Sequence, residues 1–393
     1  MIKKQILDTN NRYMKKIVLW MCILFFTTTW SCKNQKNDIK GMDTILIDLE
    51  KVSILNFEEY FSKIEIIPLA SNENSLIAIC KKLIMNENKE SYILFDYKQG
   101  GIFCFDQKGN FEFNSLDKKG KGPEEYPVCY DFVHNTIDST YEFLDPMGII
   151  YVYDENMRFV KRITINNENE LKAIQFFMPV NHDMYALYNF TDEKEMLYFY
   201  SKSEEKIIKT ISLPKIMNFV ELNSTPFSKI NDIIFFNSAS ISNAIYQINV
   251  ETLSLLPVRI DYGNQTLTEE IGKDYNTKEK ISNFFGENQY AFPIKITQNE
   301  KSYYILSSWH KKIYFSINDK KTKRTITGEN RFSNGVSIPM VHFVTNDILY
   351  CISPALHINS AIDINCLTEE SKIQLSQIQE DDNPVIVKYY LKK

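Results

Sequence analysis

The sequence predicts an all-β fold, a six-bladed β-propeller, and three observations carry that prediction. First, an aromatic-rich run recurs. Ile102-Phe103-Cys104-Phe105-Asp106 is followed 48 residues later by Ile150-Tyr151-Val152-Tyr153-Asp154. Leu197-Tyr198-Phe199-Tyr200-Ser201 comes 47 residues after that, and Ile245-Tyr246-Gln247-Ile248-Asn249 a further 48 on. Short β-rich runs at a fixed period of about 40–50 residues mark a propeller, one four-stranded sheet per repeat. Second, a fifth copy, Ile313-Tyr314-Phe315-Ser316-Ile317, lies 68 residues on, as an inserted segment would place it. Third, 393 residues with 44% apolar content, 26 Phe and 23 Tyr suit pleated, half-buried surfaces and the length of about six such repeats.

Taken in order, residues 1–31 read as an address. Lys15 and Lys16 precede an apolar run over residues 17–26 that ends in small and polar residues at Ser31-Cys32. A run of that length is too short to cross a bilayer but suits the hydrophobic core of a secretory signal. The expectation is a lipoprotein signal with translation from Met14, cleavage before Cys32 and acylation of its thiol; an uncleaved anchor is the rival reading. Residues 32–43 form a polar tether, and the propeller occupies residues 44–393.

Residues 44–49 alternate as a strand, and residues 57–69 end in an apolar run. Blade one follows as strands over residues 78–85, 92–96, 102–106 and 111–113, with a tight turn at Gly109. Blades two to five repeat this grammar around residues 141–165, 184–213, 233–260 and 303–327. Thr268-Glu269-Glu270 opens a short helical insertion between blades four and five, with Ile271, Tyr275 and Phe284 as its apolar stripe. Blade six begins at residues 348–352, is interrupted by a helix-like stretch and resumes at residues 384–391, one strand short. The expectation is that residues 44–49 supply that strand and close the ring, removing two exposed edges.

Without residues 1–31 the chain carries a formal charge of −9, from 40 Lys and Arg against 49 Asp and Glu. With no long basic run, nucleic acid is not an expected partner. Cys80, Cys104, Cys129, Cys351 and Cys366 form no CxxC pair, and buried thiols are the default for them.

The run Gly120-Lys121-Gly122-Pro123-Glu124-Glu125-Tyr126 sits between an aromatic-Asp strand end, Phe105-Asp106, and the strand Val152-Tyr153-Asp154. With Pro68-Leu69 and the closing Asn383-Pro384-Val385, it resembles the six-bladed propeller lipoproteins of Bacteroidota, relatives of the NHL-repeat propellers. The resemblance covers residues 44–393. It implies a lipid-anchored protein of the cell envelope, at the outer membrane, and implies no activity. Lys33-Asn34-Gln35-Lys36 after the cysteine leaves open the periplasmic face or the cell surface.

Five residues stand out as ligand-binding candidates: Lys121, Glu124 and Tyr126 in the glycine loop, and Trp309 and His310 at a strand end. The glycines and Pro123 would let backbone N–H groups approach a ligand; equally, they suit an interblade connection with Tyr126 packed inside. Trp309 could stack on a sugar or pack between blades. Asp96, Asp106, Asp145 and Asp154 recur at strand ends, where they would accept turn N–H groups. They lack the dense spacing of a calcium loop. Histidines 134, 182, 310, 342 and 357 show no tight metal pattern, though blades can gather them at an axis. No nucleophile elbow, Walker loop or dinucleotide fingerprint is present, so no catalytic residue is nominated. The reading is a binding or interaction module for a glycan, a peptide or an envelope protein, with no cofactor required. The alternative is a hydrolase or lyase with an axial site, in which a divalent cation is possible.

Overall fold

The computed structural model describes residues 43–165, 174–191, 194–217, 225–287 and 289–392. The expected signal, Cys32 and the tether fall outside them. Two strands come first, β1 (Asp43–Leu46) and β2 (Phe61–Pro68), with a single helical turn α1 (Phe57–Tyr60) between them. Blade one is β3 (Cys80–Asn86), β4 (Ser91–Asp96), β5 (Gly101–Asp106) and β6 (Phe111–Asn114). Blade two is β7 (Asp131–Asn135), β8 (Thr140–Leu144), β9 (Ile149–Asp154) and β10 (Phe159–Thr164). Blade three is β11 (Phe176–Pro179), β12 (Met184–Asn189), β13 (Glu195–Ser201) and β14 (Lys206–Leu213). Blade four is β15 (Phe227–Ile230), β16 (Ile233–Asn237), β17 (Ala244–Asn249) and β18 (Ser254–Asp261).

The predicted insertion follows as α2 (Glu269–Gly272) and α3 (Lys278–Glu287). Thr268 caps α2, its Oγ1 accepting the Ile271 N–H at 3.3 Å. A Cβ on Gly272 would sit 2.0 Å from the Ile216 carbonyl oxygen, so only glycine lets the two segments approach. Blade five is β19 (Phe292–Gln298), β20 (Ser302–Trp309), β21 (Lys312–Asp319) and β22 (Thr325–Glu329). Blade six has β23 (Val341–Thr345), β24 (Ile348–Ser353) and, after an excursion carrying α4 (Glu369–Leu375), β25 (Val385–Leu391).

The recurring aromatic run is the third strand of each of the first five blades, and that is why it repeats. Its side chains point into both neighbours. The core accordingly lies between blades: Phe95 and Cys104 of blade one pack with Phe132, Phe143 and Tyr153 of blade two. Corresponding clusters fill the other five interfaces. Burying each such aromatic side chain stabilises the ring by roughly 1.5–3 kcal/mol.

Ring closure uses an N-terminal strand, but not the one expected. β2 pairs antiparallel with β25 and is the outermost strand of blade six, Ile66 lying opposite Val387. Residues 44–49 do not close the ring. β1 pairs in parallel with β18 and adds a fifth strand to blade four. The reason is connectivity. β2 leads directly into β3, as each outermost strand leads into the next blade, whereas β1 is one segment further upstream.

The sequence reading also missed the innermost strands of blades two to six. Three of these, β7, β15 and β23, are short and mix apolar with polar residues, as in Asp131-Phe132-Val133-His134-Asn135 and Val341-His342-Phe343-Val344-Thr345. In those three neither a period of two nor a buried apolar run stands out, β11 is an apolar run of only four residues, and β19 does alternate, at Phe292, Ile294 and Ile296, without marking itself as part of a blade.

Candidate functional site

The up-and-down order sorts the connections onto two ends of the ring. Turns between first and second strands, and between third and fourth, lie at one end. They are tight, and Glu90, Ser139, Asn231, Asn346 and Asp347 take positive φ in them. The other end holds the turns between second and third strands and the long segments that return from an outermost strand to the next innermost one.

The glycine loop is one of those returns. Its root is rigid. Tyr126 is fully buried, stacked on Phe143 at 4.5 Å, and its hydroxyl donates to the Ser115 carbonyl at 2.9 Å. The glycines serve a close approach. A Cβ on Gly120 would fall 1.9 Å from the Glu125 carboxylate, which accepts the Gly122 N–H at 2.8 Å. Lys121 and Glu124 are exposed, and the Glu124 carbonyl accepts the Tyr153 hydroxyl at 2.6 Å. Trp309 donates its indole N–H to the Gln289 carbonyl at 3.1 Å and packs on Tyr314, while His310 is exposed in a turn with φ of 49°. The loop and the Trp309 turn share an end of the ring but belong to different sectors of it, so the structure does not join the five candidates in one site.

The recurring aspartates do what their position implies. Asp145 Oδ1 accepts the N–H groups of Met147 and Ile149, both at 2.8 Å, and Asp96, Asp106 and Asp154 hold their turns in the same way. All five cysteines after Cys32 are free thiols. Among the described residues no group of three or more His, Cys, Asp or Glu is placed to hold a metal ion.

What sequence reasoning missed is the axis at the loop-bearing end. Three innermost strands, in the adjacent blades five, six and one, carry a β-bulge: between Pro293 and Lys295, between Val341 and Phe343, and between Cys80 and Lys82. A bulge turns neighbouring side chains toward the same side and re-aims them. Here the residues at the bulges include Lys81, Lys82, Lys295 and His342.

Lys82 forms a buried ion pair with Asp131 of blade two and donates to the Phe132 carbonyl at 3.1 Å. The other Asp131 oxygen accepts the Phe177 N–H of blade three at 3.2 Å, so one carboxylate ties three blades together. Lys81 reaches across to lie 4.8 Å from the centre of the Phe176 ring and 4.7 Å from that of Tyr97. From the opposite side comes Lys295, 5% exposed, which donates to Thr225 Oγ1. Burial, and then the Lys82 charge, lower the Lys295 amine to about 7. His342 is half-buried; burial, and then Lys295, push it down to about 3, so it is neutral at physiological pH. The signal for this constellation was a doublet, Lys81-Lys82, and an isolated lysine and histidine in weak strands.

Beside this mouth lies an apolar patch. Leu76, Ile79, Tyr97 and Val128 are each at least 45% exposed. They surround the second turn of blade one, where Tyr97 N–H donates to the Ile79 carbonyl at 3.0 Å and the Gln99 side chain to the Leu76 carbonyl at 2.6 Å. Met147 and Met340 are exposed in other loops of the same end. A surface hollow of about 370 Å³ lies elsewhere, on the flank of blade six between Glu58, Lys63, Cys366 and Thr368.

Known proteins confirm the architecture. A protein of Bacteroides fragilis described as exported superposes with a TM-score of 0.70 at 13% identity, over 89% of this chain and 100% of its own. A member of the duf4221 family from Bacteroides vulgatus gives a TM-score of 0.51 at 14% identity, over 84% of this chain and 98% of its own. At these identities the likeness is one of fold. No curated protein matches the chain. The family model described as a domain of unknown function (DUF4934) matches residues 43–390.

Proposed function

The chain belongs to that DUF4934 family, and we propose that it serves as a lipid-anchored binding module of the cell envelope, engaging a peptide or partner protein through the loop-bearing end of the ring. The observation that carries this reading is the patch of Leu76, Ile79, Tyr97 and Val128 at the rim of the axial mouth. Exposed apolar side chains gathered beside polar groups favour a partner surface. Aliphatic groups suit the side chains of a peptide better than a sugar, which stacks on aromatic faces. Trp309, the candidate for such stacking, is engaged by Gln289.

The anchor follows from Ser31-Cys32, and the entry point of the chain agrees with it. β1 runs toward the loop-bearing end alongside β18, and Asp43 pairs with Lys323 in a tight turn of blade five. The chain thus enters the ring from the end opposite the proposed binding face. Likeness to an exported propeller of Bacteroides supports the same location.

Hydrogen exchange of the full chain, with and without envelope extract cross-linked to it, tests the reading. Protection is expected over residues 75–80, 97–100 and 115–130, which carry the patch. Protection confined to the tight turns overturns it. Cys32→Ala should release the protein from membranes, and continued membrane association refutes the anchor.

A second reading keeps the axial site but makes it an enzyme, because an amine held near 7 can act as a base or form an imine. Borohydride trapping of a small aldehyde on Lys295 would favour it.

A further inference from the structure

We propose that the turn between β21 and β22, residues 319–325, rests on the bilayer, where its cations meet anionic lipid headgroups. This rests on the lipid anchor and adds to it a contact made by the ring itself. The tight-turn end of blades four and five is then the base on which the molecule stands, with the binding face turned away.

Two independent observations meet at this turn. The first is charge. Lys320, Lys321, Lys323 and Arg324 face a single carboxylate of the turn, Asp319, whereas every other tight turn of that end is neutral or negative. Asp319 holds the turn together: its Oδ1 accepts the N–H groups of Lys321 and Thr322, at 3.0 and 2.6 Å, and the Thr322 hydroxyl at 2.9 Å. Lys320 points inward, donating to Gln298 Oε1 and to the Asn299 carbonyl, both at 2.7 Å. Lys321, Lys323 and Arg324 are exposed, and Lys323 pairs with Asp43. With Asp43 counted, four cations meet two carboxylates, and an excess of two positive charges remains.

The second observation is where the chain arrives. Ile45, Ile47 and Leu49 are buried among Ile260, Tyr262 and Ile305, so the chain is fixed to the ring from β1 onward. Asp43, the first residue of β1, touches the basic turn through Lys323. It lies eleven positions after Cys32, a reach of at most about 40 Å for a fully extended chain. The turn therefore sits at the foot of the tether, which itself carries Lys33, Lys36 and Lys40 against Asp38. Each basic residue near an anionic surface strengthens attachment about fivefold, and screening over about 8 Å confines the effect to groups close to that surface. So small an excess orients an anchored molecule without anchoring it, which agrees with the release expected of Cys32→Ala.

The lipidated full chain would be reconstituted on vesicles of phosphatidylcholine, alone or mixed with phosphatidylglycerol, in low and in high salt. Acetylation of lysines, read by mass spectrometry, reports which face is covered. Lys321 and Lys323 are expected to react about fivefold more slowly on the anionic vesicles in low salt, and high salt should erase the difference. Lys121, exposed at the opposite end, should react alike on both. The double variant Lys321→Glu with Arg324→Glu should free Lys323 from protection. Equal reactivity of Lys321 and Lys323 on the two kinds of vesicle overturns the contact, as does slower reaction of Lys121 in their place. Flotation separates this from failure of the anchor. A chain that floats with anionic vesicles only, and no longer does so in the double variant, would refute the anchor and keep the turn. A chain that floats with neither refutes both.

Discussion

The two ends of the ring are made from the same strands and differ in what connects them. At the tight-turn end, short polar turns are laced across blade boundaries. Lys301 meets Asp347 at 2.6 Å, Asn231 meets Glu300 at 2.6 Å, and Asp138 meets both His182 and Lys202. Buried Glu142 accepts hydrogen bonds from Asn135, Thr140 and Tyr185 at the same end. The other end cannot be tight, because each return must travel from an outermost strand back to an innermost one. Those longer segments carry the exposed Leu76, Ile79, Val128 and Met340, and the bulged strands below them carry the lysines. Connectivity alone therefore separates a stitched end from an end free to vary in sequence.

This contrast can be attacked in order of effect. The loop-bearing end should be free only at its tips. Tyr126→Ala should cost about 3–5 kcal/mol, since it empties a fully buried aromatic site. A loss below about 1 kcal/mol in denaturant unfolding would mean that the loop root is not part of the core. Next, His342 ties the axis to pH. In the unfolded chain an imidazole takes up its proton near 6.5, whereas the folded one resists until about 3. Between those values the unfolded state holds more protons, so stability falls as pH is lowered through this window. His342→Phe should flatten that limb of the profile; identical acid limbs would refute a neutral, half-buried imidazole. Smallest is Asp347→Asn at the stitched end, which should cost about 0.2–1 kcal/mol and lose its effect in high salt, because the pair is half exposed. A larger, salt-insensitive loss would show that the straps carry more of the ring than its core does.

Much of the fold was legible because the third strand of each blade is buried on both faces. Ile150 to Asp154 is nearly all apolar or aromatic, and such a run shows wherever it recurs. The turn aspartates were legible for a local reason: an Asx side chain satisfies its own turn. The axis was not. Its strands face neighbouring blades with one side and the centre with the other, so Lys82 and Asp131 replace the apolar pattern that a sequence reader looks for. Nothing local marks Lys82 as the partner of a carboxylate 49 positions later. The closing strand was misassigned for a related reason. Both residues 44–49 and β2 alternate well, and only the link from β2 to β3 distinguishes them.

That closing strand also fixes the order in which the molecule can be assembled. β2 leaves the ribosome early, yet its partner β25 lies at the far end of the chain, with Ile64 opposite Tyr389. β1 likewise waits for β18. Until the last residues are available, blade six lacks both its outer pair and its seal, and the apolar strand β2 stays without a partner. Such long-range pairing makes folding slow and leaves the intermediate prone to aggregate. Loss of the last nine residues should thus be far more damaging than their number suggests, since it opens the circle rather than trimming its edge.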